Sequence, residues 1–346
     1  MQERIARSIL NPVHAMSTFR LHRSSPIRAF LVSRLVSGLV SLVLVTALIF
    51  VGTALLPGDA ASALLGQNAT PAALEALRRD FGLDQPLVQR YFVWLFGALQ
   101  GDFGTSLASG RPVAEILLPR LGHSLLLAAA GAVFLLPIAI GGGILAAIWQ
   151  GRWFDRLLGF TSMLFLAMPA FLVGYILIYA FSVRLGLFPS MSVAPLMGGA
   201  GAWVKILVLP VLSLVIIGQA HTMKLTRTAI LSVLASDYIL MAEIKGLPRS
   251  SIILRHALPN ALSPILSISI LTVAYLIVDV VVIEIVFSYP GLGKLMVDSV
   301  AYRDLTVVQA CGLLFALIFI AMNLLADFLA LLANPRQRVP ARGTGA

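Results

Sequence analysis

Charge is scarce in this chain. Only 12% of its 346 residues are Asp, Glu, Lys or Arg, against roughly a quarter in a soluble globular protein, and that deficit excludes a water-soluble domain. Cysteine is nearly missing too. The single Cys311 excludes a disulfide framework or a cysteine metal site, and its place inside the last apolar run marks it as a packing residue. The histidines His14, His22, His123, His221 and His256 include no i, i+4 pair to hold a metal. Catalytic motifs are lacking as well. A phosphate-binding loop needs Gly, four residues, then Gly-Lys-Ser/Thr; around Gly293-Lys294 the chain has Ser288 and Leu295 at the two ends of that pattern. Gly104-Thr105-Ser106-Leu107-Ala108 lacks the last glycine of a nucleophile elbow, and no His-Glu-x-x-His is present. The chain has no arrangement for hydrolysing ATP or a peptide bond, so any energy it uses must come from a partner.

What the chain has in abundance is apolar surface: 59% hydrophobic residues and a mean hydropathy of +0.95. Its apolar runs separate into six blocks, near 35–56, 124–149, 158–181, 203–220, 265–287 and 307–332. Each is long enough to cross a hydrocarbon layer of ~30 Å, which takes about 20 helical residues. The expected fold is an all-α membrane protein with six transmembrane helices. The fourth block is the weakest, with Lys205 in its first turn and Pro210 in its interior.

Basic residues orient the spans. With the N-terminus inside, Arg4, Arg7, Arg20, Arg23, Arg28, Arg34, Arg152, Arg156, Lys224, Arg227, Lys245, Arg249, Arg255, Arg336, Arg338 and Arg342 all fall on the inner side. The outer side holds fewer, mostly in the long loop between the first two spans, where charge counts for less. Both termini are therefore expected in the cytoplasm and the long loop outside. The net charge of +10 reads as topology and affinity for anionic lipid heads rather than nucleic-acid binding.

The most specific signal is a polar island at 237–262, between the fourth and fifth spans. Asp237 can cap a short helix over 238–245, and Gly246 can take the left-handed turn that ends it. Pro248 blocks continuation, and Ser250 or Ser251 can cap a second helix leading into the next span. Such a firm knob suits a groove on a partner. Ala242-x-x-x-Gly246 followed by Arg255-His256-Ala257-Leu258-Pro259-Asn260-Ala261 resembles the cytoplasmic "EAA" loop of ABC-importer permeases, in the version of the peptide/opine/nickel class and its first, B-type subunit.

The resemblance covers about 28–338, leaving a basic tail at 1–27 and a short tail at 339–346. It includes Pro57-Gly58-Asp59, Phe81-Gly82-Leu83-Asp84, Gly101-Asp102-Phe103-Gly104, Met168-Pro169-Ala170-Phe171, Tyr289-Pro290-Gly291-Leu292-Gly293-Lys294, Asp327 and Asn334-Pro335-Arg336. Members of the class begin close to their first span, so the N-terminal extension departs from the pattern and Met16 is a second possible start.

The resemblance implies the fold of a type I ABC-importer permease in a bacterial inner membrane. It implies a second permease subunit, most simply a different one, and two ABC ATPases that hold ATP and Mg while this chain holds no cofactor. It also implies an extracytoplasmic binding protein that delivers di- or oligopeptides or a related small solute. Asp237, Tyr238, Ala242, Glu243, Gly246, His256 and Pro259 would couple to the ATPase, with a smaller contact from Gly151 to Asp155.

Several readings stay open at this level. Thr70-Pro71 starts an outer helix that Gly82 stops. Asp84 starts another, whose Tyr91, Phe92, Trp94 and Phe96 suit either headgroup packing or a landing surface for the binding protein. Pro169 bends the third span, as a fixed kink or as a hinge. Gly291 and Gly293 permit positive φ in a tight turn. Asp279 and Glu284 lie within the fifth span, where a carboxylate costs about 2.5 to 3.5 kcal/mol. Each either lines a pathway or is a buried acid bonded to a neighbouring helix. Glu284 matches the class; Asp279 stands where the class has a small residue. If both relayed ions, the chain would instead be an ion-coupled secondary transporter.

Overall fold

The computed structural model describes residues 26–55, 70–80, 84–193 and 199–333. Pro57-Gly58-Asp59, Gly82 and Asn334-Pro335-Arg336 lie outside them. In chain order the helices are α1 (Pro26–Ala54), α2 (Pro71–Asp80), α3 (Leu87–Leu99), α4 (Val113–Ile148), α5 (Trp153–Ala167) and α6 (Ala170–Leu177), the last continuing through a wide π turn at Ile178–Arg184. After these come α7 (Ala200–Leu234), α8 (Asp237–Ile244) and α9 (Arg249–Ile252), a second π turn at Ile253–Ala257, and then α10 (Leu258–Val286), α11 (Leu292–Ala301) and α12 (Leu305–Ala333). Among the described residues, five helical runs are long and apolar enough to cross a membrane, and α5 with α6 makes a sixth if the bent pair counts as one span.

The helices are longer than the apolar blocks. α4 has 36 residues, about 54 Å at 1.5 Å per residue, well beyond the ~30 Å hydrocarbon core. α7 runs unbroken through Lys205 and Pro210 and absorbs the polar stretch before residue 235. α4 and α7 form the central pair, and glycine lets their backbones approach. A Cβ at Gly143 would lie 2.8 Å from the Met223 carbonyl oxygen, and one at Gly218 would overlap Leu135. Leu127, Leu135, Leu209, Leu214, Val173, Ile283 and Phe287 fill the core that α6 and α10 complete.

The block predicted as the third span is broken rather than merely bent. α5 and α6 meet at 106°, because Met168 (φ −88°, ψ 128°) and Pro169 (φ −61°, ψ 144°) are both extended. Proline disfavours helical geometry in the residue before it, so two successive residues leave the helix.

α1 and α12 run antiparallel. Gln309 Nε2 donates to Thr53 Oγ1 at 2.8 Å near one end, and Arg34 pairs with Asp327 at 3.2 Å near the other. α10 runs from the α8 end to the opposite end and α12 returns, so Pro26 and Ala333 lie at the α8 end. On α1, Thr46 Oγ1 and the Tyr91 hydroxyl of α3 are 2.9 Å apart, and Phe50 meets the Tyr91 ring edge-on at 5.6 Å. Thr70 caps α2, accepting from the Ala73 N–H at 3.3 Å. α3 begins after Pro86 rather than at Asp84.

At the end opposite α8, α11 closes through Arg303 in left-handed geometry (φ 58°), with Asp304 N–H donating to Ser299 O at 2.8 Å. The buried Asp304 carboxylate then accepts from Ser106 Oγ (2.5 Å), Leu107 N–H (3.1 Å) and Ala108 N–H (3.3 Å). One acid thus pins the loop before α4 to the start of α12. Asp304→Ala strands these donors, and we expect a loss of about 2 to 4 kcal/mol, read as a lower melting midpoint in detergent and faster proteolysis at 105–110.

Candidate functional site

α8 is too short to persist alone, since isolated helices of fewer than about 12 residues are marginal in water. Its far end is closed by Gly246 at φ 74°. There the Leu247 N–H donates to Ala242 O at 3.3 Å and the Gly246 N–H to Glu243 O at 2.9 Å, the paired bonds of a Schellman turn. Its near end departs from expectation. Ser236, not Asp237, is the N-cap residue, and no side chain caps the helix. The Ser236 hydroxyl instead donates back to Val233 O at 2.5 Å, closing α7, and Asp237 becomes the first helical residue. Its carboxylate still lies at the positive end of the helix dipole.

Two side chains root α8. Ile239 and Ala242 are buried against Ala147 of α4, Ile230 of α7, Ile252, Ile253 and Ala257 below α10, and Ala261 and Ile265 of α10. Asp237, Tyr238, Leu240, Met241, Glu243, Ile244 and Leu247 are exposed, Ile244 at 69%. Four large apolar residues on a short helix outside the long spans form a surface that asks for a partner.

Ser250 and Ser251 cap nothing. Pro248 precedes the first turn of α9, and the helix continues through the wide turn at Ile253–Ala257 into α10. Pro259 follows that turn; it has no N–H to donate, and its ring needs room from the carbonyl one turn back, which a π turn provides. His256 lies half-buried in the wide turn, with its Nδ1 unpaired among the described residues. Pro259 is exposed beside it. Arg249 bonds Gln150 of the α4–α5 turn. Asp155, in the first turn of α5, accepts from the Gly151 N–H at 2.9 Å and holds Arg227 of α7 through two bonds of 2.7 and 2.8 Å.

The two acids of α10 stand near its other end, Glu284 about 40 Å from His256 by helical rise. Their surroundings differ. Glu284 is fully buried; its carboxylate accepts from Ser124 Oγ of α4 (2.5 Å) and from the N–H groups of Gly293 (2.7 Å) and Lys294 (3.2 Å). Ser124 Oγ in turn accepts from the Leu292 N–H at 2.7 Å. The first three N–H groups of α11 have no partner inside their own helix, and side chains of α4 and α10 supply all three acceptors.

Gly291 and Gly293 serve this arrangement by their size. Gly291 has φ −98°, so neither the turn's geometry nor a positive φ calls for it, contrary to expectation. A Cβ at Gly291 would overlap the Glu284 carboxylate, and one at Gly293 would lie 2.8 Å from the Val281 Cα. The left-handed residue of this turn is Ser288. Beyond the span, burial pushes the Tyr289 phenol up to about 12, with the Glu284 charge adding to the shift; its hydroxyl donates to His123 O at 3.2 Å.

Asp279 has no such shell. It is half-buried and makes no hydrogen bond or ion pair with another described residue. It adjoins the exposed side of α10 formed by Leu271, Tyr275, Val278 and Ile285. A cavity of about 720 Å³ lies between α1, α10 and α12 and is lined chiefly by apolar side chains; Asp279 is not among them. Sequence reading missed Ser124 and the Asp155–Arg227 pair. A lone hydroxyl and a lone acid in apolar helices were the available signals, but their partners lie far away in the chain.

Comparison with known proteins shows the family. Residues 139–339 match the family described as binding-protein-dependent transport system inner membrane component, and residues 27–128 match the N-terminal part of that membrane component. The glutathione transport system permease protein GsiC of Escherichia coli strain K12 is 37% identical over 309 residues, covering 89% of this chain and 98% of GsiC. GsiC of Shigella dysenteriae serotype 1 and of Shigella boydii serotype 4 are similar to the same extent. With these matches spanning nearly all of the helical body, the chain belongs to the family of binding-protein-dependent transport system inner membrane components, and is a multi-pass permease subunit of an ABC importer in the bacterial inner membrane.

Proposed function

We propose that this permease forms one half of a pathway for di- or oligopeptides, with a second, different permease subunit as the other half. Two ATPases grip α8 from the cytoplasm, and an extracytoplasmic protein delivers the solute. GsiC is named for glutathione, itself a short peptide, and this favours a peptide-like cargo. ATP and Mg belong to the ATPases, so this chain needs no cofactor. The concentration of basic residues at the α8 end favours that end as cytoplasmic, with both termini there and the segment between α1 and α4 outside.

The observation that carries this reading is the two-sided character of α8. Its Ile239 and Ala242 face is set into α4, α7 and α10, while Tyr238, Leu240, Met241 and Ile244 face outward. A push on the outer face reaches three long helices at once, and the broken α5–α6 pair offers a joint about which they can turn. Glu243 is exposed on the same helix, and His256 and Pro259 lie in and just after the wide turn that follows it. A carrier relaying ions between Asp279 and Glu284 is not supported: Glu284 is enclosed with both oxygens engaged, and the family is driven through partner proteins. In this reading Glu284 fastens helices and Asp279 lines the pathway.

Gly246→Glu is expected to leave the chain inserted at normal abundance but to reduce ATP-driven uptake by reconstituted importer at least about tenfold. It removes the residue suited to φ 74° and puts a charge at the docking edge. Normal uptake by that variant would falsify the assignment of α8. The two acids should separate cleanly. Glu284→Gln keeps one acceptor oxygen but turns its amide N–H toward either Ser124 Oγ or the Gly293 and Lys294 N–H groups, and should cost about 2 kcal/mol of stability, lowering the melting midpoint in detergent. Asp279→Asn should leave stability within about 0.5 kcal/mol, with the melting midpoint little changed, while changing uptake kinetics; the reverse pattern would make Asp279 the structural acid.

A further inference from the structure

Within the long helices, among the described residues, every acid except Asp279 has a partner. Glu115 pairs with Arg111, Asp155 with Arg227, Asp327 with Arg34, and Glu284 with Ser124 and two backbone amides. Asp279 is only half-buried, beside a side of α10 that carries large exposed residues. One turn nearer the α8 end, at the i−4 position, stands Tyr275, 53% exposed. Residues at that spacing are neighbours on one helix face, with Cβ atoms about 6 Å apart. A carboxylate next to an accessible aromatic ring is the combination that recognises an alkylammonium or guanidinium group: the acid supplies the opposite charge and the ring face supplies further attraction without needing to be desolvated.

We propose that Asp279 and Tyr275 form a cation subsite in the translocation pathway, taking the ammonium group of the passing solute, whether a peptide's α-amino group or a lysyl side chain. The inference rests on the reading that α10 lines the pathway, and it deepens that reading by naming the solute chemistry. It commits the subsite to solutes that present a free ammonium, whatever their net charge. Among the described residues no basic side chain pairs with the acid, so the position opposite it is open to a cation from the solute. The subsite acts by attraction and orientation and involves no covalent step.

The test needs no knowledge of the natural cargo. A single cysteine is placed at Val282, the i+3 neighbour of Asp279, in a Cys311→Ser background, and the variant is assembled with its partner subunits in membrane vesicles. Its rates of modification by a trimethylammonium-bearing and a sulfonate-bearing methanethiosulfonate are measured and normalised to a free thiol in solution. The cationic reagent should be favoured about tenfold or more, and Asp279→Asn should return the ratio to about one. Reaction with neither reagent would show that this face is closed to water and would remove the pathway reading itself. Reaction with both at equal normalised rates, with Asp279 intact, would keep the pathway and overturn the cation subsite, since the acid would then be protonated or matched by a basic residue of the second permease.

Discussion

A helix of eight residues holds its shape only if something outside it insists on that shape, and α8 depends on two such constraints. One is the left-handed turn at Gly246, which gives the last carbonyls of the helix their partners. The other is the seating of Ala242 and Ile239 among Ala147, Ile230 and the residues below α10. Alanine is small enough to let the helix lie close on its supports, and isoleucine fills the socket beside it. With both in place, a short surface element is joined rigidly to the cores of three spans. With either lost, the exposed residues of α8 would sit on a flexible loop, and a partner's motion would be absorbed before reaching the bundle.

The opposite end is held by a different device. Glu284 and Asp304 are buried acids that accept from backbone N–H groups outside their own helices, and Asp304 also accepts from Val307 N–H in the first turn of α12 at 3.4 Å. One serves the start of α11 from α10; the other serves the loop before α4 from the start of α12. In hydrocarbon or in a packed interior no water can satisfy a free N–H, so an acid that accepts two or three such bonds recovers much of its own cost of burial. The Asp155–Arg227 pair joins α5 to α7 in a more conventional way. Fixed points thus stand at both ends of the bundle, with the break at Met168 and Pro169 between them.

Much of this is legible in the amino-acid sequence alone. Sparse charge and long apolar blocks indicated a membrane protein, and glycine at 246 indicated the end of a short helix. The misreadings have physical causes. Hydropathy detects only the stretch that matches lipid, so α4, α7 and α10, which project beyond it, came out too short. Ser236 and Asp237 are adjacent and both good caps, and nothing local says that the serine hydroxyl turns back to Val233. Gly291 and Gly293 looked like residues chosen for backbone freedom, yet they are small because Glu284 and Val281 occupy the space. That crowding arises from a contact across the fold, as does the bond from Ser124 to Glu284, and no window of sequence contains both partners.

The wide turn at Ile253–Ala257 has an effect beyond making room for Pro259. Each residue of an α-helix advances the chain by about 100°, and a π turn holds an additional residue within one revolution. Everything beyond it on α10 is therefore rotated by about that angle relative to a regular helix starting at Arg249. The compass bearing of Asp279, roughly six revolutions away, is set beside the socket that receives α8. If that turn rewound, the acid would swing by about 100° around the axis while moving only about 1.5 Å along it.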